Sequence, residues 1–448
     1  MNLHAKLGER EAAGRPVTVA LIGAGKFGTM FLSQARLTTG LHVVGVADLD
    51  PARARGQLAT AGWPAAQYAA TSLDEAVRQR STLVTPDAPA LIADPRIEVI
   101  VEATGVPAAG IAHALAAIAH GKHVVMVNVE ADALAGPLLA RRAAAAGVVY
   151  SLAWGDQPAL ICEHVDWARA CGFKVVAAGK GTRYEPHYHR SNPDTVWDIL
   201  DKYLKIADRS SINPKMFNSF VDGTKSGIEM TAVCNATGLV PQSGGLTFPP
   251  ATRFELAQVC KPKSDGGVLE HAGVTEVTSS VYRDGRDVPH HLALGTYVVI
   301  EGETDYARRC FGEYAMLPDD SGKYAALYRP IHMIGLELGI SIASAALRKE
   351  PTGAPTGFRS DVVATAKRAL KAGEVLDGEG GFCVWGRQMP AAVSLRDGLL
   401  PLGLAHNVRL KRALAEGEAV RWSDVDYDAS DSAVAFRREM EAAFAPAA

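Results

Sequence analysis

The sequence predicts an α/β protein: a doubly wound parallel sheet, then an α+β substrate region, then a small β-rich C-terminal module. Three observations predict it. Between residues 17 and 150, short β-branched runs alternate with alanine-rich stretches of helical length. After residue 150 the loops lengthen and Gly, Pro, His and Tyr become frequent, and after the joint PTGAPTG (351–357) two short segments repeat one pattern. The expected divisions are therefore 1–150, 151–350 and 351–448.

In the first division the strands are VTVALI (17–22), HVVGVA (42–47), VIVEA (99–103) and HVVMVN (123–128). AAGIAHALAAIAHG (108–121) and DALAGPLLARRAAAAG (132–147) have the length of crossover helices, and each ends in a glycine suited to a C-cap. The second division offers strands at KVVAAGK (174–180), TEVTSSVYR (275–283) and LALGTYVVIEG (292–302). IHMIGLELGISIASAAL (331–347) is apolar at helical spacing and is expected to pack on one of the domains. In the third, VVATAKRALKAGEVLDGEGG (362–381) and GLLPLGLAHNVRLKRALAEGEAVRWSDVD (398–426) share ALKAGEVL and ALAEGEAV, each leading into a glycine turn.

Bulk properties restrict the function. The chain has 448 residues, 48% hydrophobic and 21% charged, with a formal net charge of −3. That charge makes neither nucleic acid nor an anionic membrane an expected partner, and a small molecule is the default. The polar N-terminal MNLHAKLGEREAAGRP and the lack of a spanning apolar run suggest a cytoplasmic protein. The six cysteines lie far apart without CxxC or zinc-type spacing, so they read as buried thiols.

Chemistry first becomes specific at VTVALIGAGKFGTMF, where G-A-G-K-F-G follows a strand and opens a helix. Gly23 permits the tight turn, Gly25 lets backbone approach a pyrophosphate, and Gly28 allows close helix packing, with Lys26 and Phe27 between them. This is the phosphate-binding turn of a Rossmann sheet, and the helix N-terminus beside it favours an anion. Asp48, twenty residues beyond Gly28, suits the adenosine ribose hydroxyls and leans toward NAD(H); Arg53 and Arg55 suit the 2′-phosphate of NADP(H), so the choice stays open. Thr104, Gly105 and Asn128 end later strands and border the nicotinamide half, with Glu130 on the same rim.

Three clusters are candidates for substrate chemistry. FVDGTKSGIEMTAVCNATGL (220–239) carries Asp222, Lys225, Glu229 and Asn235; Lys225 and Glu229 fall one helical turn apart. AAGKGTR (177–183) carries Lys180 and Arg183, and LPDDSGKYAALYRPIH (317–332) carries Asp319, Lys323, Tyr328, Arg329 and His332. Lysine and arginine on glycine-bearing loops suit a phosphate or carboxylate substrate, and a lysine can protonate or polarise the oxygen that gains charge in hydride transfer. Glu130, Asp222 and Glu229 are hard oxygen ligands that would suit Mg or Mn. His187, His189, His290 and His291 match no zinc signature and read as structural or solvent-facing.

With GAGKFG, VIVEATG, NVEAD (128–132), DGTKSGIEMTAVCNATGL and YRPIHMIGLE (328–337), the chain resembles the 1-deoxy-D-xylulose 5-phosphate reductoisomerase-like oxidoreductases. These look like homoserine dehydrogenases with a C-terminal SAF-type module. The resemblance spans essentially the whole chain. It implies NADPH-dependent reductive isomerisation of 1-deoxy-D-xylulose 5-phosphate to 2-C-methyl-D-erythritol 4-phosphate, aided by a divalent cation, in isoprenoid precursor synthesis. Two departures stand out: Val129 and Glu130 occupy the place of the Asn-Lys pair usual in homoserine dehydrogenases, and no carboxylate-rich metal motif is recognisable.

Lys180, Lys225 and Arg329 are then expected around the phosphate or reacting oxygen. A homoserine-dehydrogenase-like oxidation of a small hydroxy acid and a non-catalytic dinucleotide sensor are the competing readings, and a homodimer is expected by analogy.

Overall fold

A computed structural model of the protein describes residues 2–202 and 213–445. Its contacts group them into two units: residues 1–160 with 332–356, and residues 161–331 with 357–448. Each unit is made of two stretches of chain, so the two interleave along the sequence.

The first unit is built on a six-stranded sheet in the order β3-β2-β1-β4-β5-β6, all neighbours parallel. Its strands are β1 Val17–Ile22, β2 Leu41–Ala47, β3 Leu83–Thr85, β4 Val99–Glu102, β5 His123–Met126 and β6 Tyr150–Leu152. Helices cover both faces, so central strands such as β1 read as near-continuous apolar runs rather than alternating ones. Helices Pro107–Ala119 and Val129–Ala145 occupy the expected crossovers, and Gly121 and Gly147 follow them at φ 68° and 71°, the left-handed conformation glycine permits.

The apolar segment belongs to this unit from His332 onward. Its second half forms the helix Gly339–Arg348, which places Ile342, Ala343 and Ala346 in one core with Val19, Leu21 and Phe31. Gly335, at φ 77°, precedes it where an added Cβ would stand 2.8 Å from the Phe27 carbonyl oxygen, so only glycine lets the returning chain come this close.

The second unit holds a four-stranded sheet, β10-β9-β7-β8, of strands β7 Lys174–Thr182, β8 Val274–Ser279, β9 Thr296–Glu301 and β10 Tyr324–Arg329. Only β7 and β8 run parallel. The helix Thr224–Thr237 is buried almost throughout and ties this sheet to the C-terminal module. Thr231 Oγ1 lies 2.9 Å from Ser360 Oγ, and Cys234 Sγ lies 3.3 Å from Thr275 Oγ1. Asn235 is structural: its Oδ1 accepts the N–H of Arg359 at 2.7 Å and of Ser360 at 3.0 Å, which offsets the cost of burying the amide.

The C-terminal module contains β11 Ser360–Ala366, β12 Val375–Asp377, β13 Val384–Pro390, β14 His406–Leu410 and β15 Val425–Asp426. β11 pairs with β13, and β14 lies between β12 and β15, all antiparallel. The two repeats noted in the sequence are halves of one internal twofold. Leu370 and Leu414 exchange backbone hydrogen bonds at 2.9 and 3.0 Å. Glu374 accepts the N–H of Lys371, and Glu418 that of Ala415, both at 2.9 Å. Gly373 donates to the Leu410 carbonyl while Gly417 donates to that of Ala366. The final helix, Ser432–Phe444, is anchored by Arg437, whose Nη2 meets Asp361 Oδ2 at 2.6 Å with both side chains fully buried.

Candidate active site

Strand β1 runs into Gly23, whose φ of 94° turns the chain sharply; an added Cβ there would sit 2.7 Å from the Ala103 carbonyl oxygen. The helix Lys26–Ala35 begins three residues later with Gly25 as an N-cap that offers no side-chain hydrogen bond. Its first N–H groups are left for an incoming anion. Gly28 packs against the turn itself, since a Cβ would stand 2.4 Å from the Gly23 oxygen, whereas around Gly25 there is open space. Lys26 is exposed at the head of the helix, and Phe27 packs against the core. The residues present fit a dinucleotide pyrophosphate.

Asp48 stands at the end of β2, buried, where it organises the same turn. Its Oδ2 accepts the Ala24 N–H at 2.8 Å, and its Oδ1 accepts that of Asp50 at 2.9 Å. Arg53 reaches both carboxylate oxygens, at 2.7 and 2.8 Å. Burial pushes the Asp48 pKa up, but the Asp50 N–H, the Arg53 guanidinium and the Ala24 N–H outweigh it, and the carboxyl lies below its ordinary value. Arg55 is committed elsewhere, donating to the Tyr68 carbonyl at 2.8 Å, so only Arg53 of the two arginines stands at the acid.

On the other half of the sheet, Thr104 Oγ1 donates to Glu102 Oε1 at 2.5 Å, and His113 Nδ1 lies 3.2 Å from the same oxygen. Glu102 is fully buried and its second oxygen has no hydrogen-bond partner among the described residues. Asn128 caps the helix Val129–Ala145 through the Ala131 N–H and donates to the Val106 carbonyl at 3.0 Å, holding the loop with Thr104 and exposed Gly105 beside it. Glu130 is half-buried in the first turn of that helix.

In the second unit the sequence clusters separate. Lys180, on β7, donates to Glu229 on the Thr224–Thr237 helix, and both side chains are buried. Glu229, one turn from Lys225 on the helix, thus takes its ammonium from a strand far away in sequence. Asp222 accepts Lys367 Nζ at 2.7 Å, again with both buried, and Lys367 also donates to the carbonyls of Ser191 and Gly381 at 2.7 Å. Lys225 and Arg329 are half-buried; Arg329 ends β10 opposite Thr296, and its charge helps lower the pKa of His164.

These pairings bear on two of the three candidate metal ligands. Asp222 and Glu229 each already hold a buried ammonium, so they do not fit a divalent cation as free oxygen ligands. Among the described residues, no group of three or more His, Cys, Asp or Glu gathers that would hold a metal ion. Other cluster members serve structure: Arg183 meets Asp287 at 2.6 Å, Asp319 meets Lys261 at 2.8 Å, and Lys323 bridges Asp265 and Glu301.

Sequence reasoning missed Lys367. Lys367 sits in a repeat that reads as a surface turn, so no local signal marked it. His189 donates from Nδ1 to the Asp222 carbonyl at 2.8 Å and receives the Tyr184 hydroxyl at Nε2. Burial lowers its pKa, which keeps the ring neutral and its tautomer set.

No helix among the described residues is long and apolar enough to cross a membrane. Residues 23–151 match the NAD binding domain of homoserine dehydrogenase, residues 155–338 the catalytic domain of oxidoreductase DRL, and residues 361–426 the SAF domain. No curated protein matches the chain. Solved structures similar to it include a homoserine dehydrogenase from Thiobacillus denitrificans, 16% identical over 74% of this chain and 73% of that one, with a TM-score of 0.43. An NAD binding oxidoreductase from Klebsiella pneumoniae is 17% identical over 71% and 67%, with a TM-score of 0.32. A dihydrodipicolinate reductase from Paenisporosarcina sp. TG-14 is 12% identical over 75% and 97%, with a TM-score of 0.34. With a DRL-type catalytic domain at 155–338 joined to a nicotinamide-dinucleotide domain, the chain is an NAD(P)-dependent oxidoreductase.

Proposed function

We propose that the enzyme carries out NADPH-dependent reductive isomerisation of 1-deoxy-D-xylulose 5-phosphate, or of a closely related phosphorylated hydroxyketone, to the branched or reduced polyol phosphate. The observation that carries this reading is the buried Lys180–Glu229 pair inside the segment that matches the DRL catalytic domain.

When bound, the nicotinamide supplies the hydride. The chain must then stabilise the carbonyl oxygen that gains electrons and deliver a proton to it. Lys180 is suited to that: its ammonium is buried, so its charge is poorly screened, and its ion pair with Glu229 holds it in place. Arg329 and Lys225, both half-buried, are assigned to the phosphate. The pairing of Arg53 with Asp48 supports NADPH over NADH, because it takes up acceptor capacity that would serve the ribose hydroxyls and sets a guanidinium, which suits a 2′-phosphate, beside the acid. No cation is needed for the charge stabilisation assigned to Lys180. Two copies of the chain are expected to form the working enzyme, placed in the cytoplasm in isoprenoid precursor synthesis.

The test is NADPH consumption by the purified protein with 1-deoxy-D-xylulose 5-phosphate and a set of ketose phosphates. Turnover that disappears in Lys180→Met supports the reading; no turnover with any of them ends it. The match of residues 23–151 to the homoserine dehydrogenase nucleotide domain favours one second reading, oxidation of a small hydroxy acid. A screen of hydroxy acids with NAD and NADP separates the two.

A further inference from the structure

Glu102 has no task in the chemistry above, and its place in the fold is a costly one for an acid. β4 buries Val99, Ile100 and Val101 and then Glu102, which is 0% exposed. Its ion-pair partner among the described residues is His113, and no lysine or arginine reaches it. A carboxyl taken out of water without a strong cation costs stability, so an apolar side chain would serve this core better.

What the carboxyl does is tie down the loop that follows the strand. Thr104 donates to Glu102 Oε1 twice, from Oγ1 at 2.5 Å and from its N–H at 3.3 Å. Thr104 Oγ1 in turn accepts the Val106 N–H at 3.3 Å, and Asn128 Nδ2 donates to the Val106 carbonyl at 3.0 Å. The Ala103 N–H donates to the Ile22 carbonyl of β1 at 2.8 Å. Ala103, Thr104 and Val106 are thus each fixed, and the Thr104 hydroxyl is the joint between acid and loop. An added Cβ at Gly110 would stand 2.8 Å from Asn128 Nδ2 and 3.3 Å from Glu102 Oε2, so the bare glycine leaves room for both.

The loop stands where orientation matters. Strand order in this sheet reverses between β1 and β4, and a dinucleotide crosses the crevice at such a point. The loop also adjoins the phosphate turn, since the Ala103 carbonyl oxygen is the atom that a Cβ at Gly23 would meet. With Asp48 ending β2 on the adenosine side, residues 103–106 lie on the nicotinamide side, and Val106 leaves an apolar side chain 53% exposed there.

We propose that Glu102 is a positioning residue for hydride transfer: through the Thr104 hydroxyl it fixes the loop 103–106 as the wall against which the nicotinamide is held. The phosphate turn supplies affinity, and the acid supplies orientation.

The experiment needs no substrate. The full chain is titrated with NADH and NADPH, and for the tighter binder the Kd and the emission of the bound dihydronicotinamide are recorded, an emission that brightens when the ring is held still. Glu102→Met and Thr104→Val should each lower the gain in emission roughly twofold, while Thr104→Ser, which keeps the hydroxyl, retains it. The Kd should change less than about threefold in all three, because the phosphate turn is untouched. The melting temperature of Glu102→Met should hold or rise, which separates positioning from a structural role. With any substrate in hand, kcat should fall roughly tenfold in Glu102→Met and Thr104→Val with the cofactor KM unchanged. An undiminished gain in both of these variants, a Thr104→Ser protein as dim as Thr104→Val, or a loss of emission matched by a loss of melting temperature would overturn the proposal. If Glu102→Met fails to fold, the comparison of valine with serine at half-buried Thr104 decides. None of the binding readouts depends on which substrate the enzyme reduces.

Discussion

The glycine turn of the nucleotide unit and the lysine pairs of the second unit prepare charge recognition in opposite ways. The turn is made of backbone: Gly23, Gly25 and Gly28 lie within six residues, and their contribution is the absence of side chains. The pairs Lys180–Glu229 and Lys367–Asp222 are made of long side chains from elements far apart in sequence, buried together. A backbone site tolerates being empty, because its N–H groups can turn to water. A buried ion pair does not tolerate losing one partner, because the survivor keeps its charge without compensation. Function and stability are therefore separable in the first unit and joined in the second.

The sharpest way to break that comparison is Lys180→Met. Leaving Glu229 buried alone should cost about 3–5 kcal/mol in denaturant unfolding, and pairing it with Glu229→Leu should recover most of the loss without restoring turnover. If the single substitution is neutral in stability, the pair is more solvated than its burial implies.

Acid comes next, because each unit buries one neutral histidine. Burial, reinforced by the Lys349 ammonium, lowers His123 to about 4; burial, reinforced by Arg329, lowers His164 to about 4. Their ordinary value is 6.5, so the unfolded chain binds these protons first. The stability they contribute is complete above pH 6.5 and is lost as the pH falls toward 4, by up to about 3 kcal/mol each. Melting curves across that window should fall for the native chain and flatten for His164→Gln. An unchanged slope would remove His164 from the account.

A smaller effect tests the turn. Gly25→Ala meets no neighbour, so its melting temperature should match the native chain while affinity for NADPH drops roughly tenfold. Normal affinity would mean that the pyrophosphate does not approach this backbone. The smallest effect belongs to Arg53→Ala. Its partly exposed pair should contribute under about 1 kcal/mol of stability, but preference for NADPH over NADH should fall several-fold. A preference that does not change would return the cofactor choice to Asp48 alone.

The same contrast explains what could be read in advance. Four of the six parallel strands and the glycine turn are local patterns, and the sequence displays them; β3 and β6, three residues each, are too short to show a period. The repeats ALKAGEVL and ALAEGEAV were visible as similarity, but their mutual pairing through Leu370 and Leu414 was not. Lys180, Asp222 and Glu229 stood out as polar residues in apolar surroundings. Their partners were not legible: the natural guess for Glu229 was Lys225, one turn away, because helical spacing is visible in a sequence and strand-to-helix contact is not. Asn235 looked chemical for the same reason and proved to bind backbone.

The return of the helix Gly339–Arg348 to the nucleotide core has a consequence for how the chain is made. A ribosome delivers residues in order, and the piece that fills the floor of this core emerges only after all of residues 161–331. Until then the strands around Val19 and Leu21 lack Ile342 and Ala343, and apolar surface waits exposed. A nascent chain halted near residue 160 should engage chaperones and bind nucleotide poorly, although every glycine of its turn has already been made.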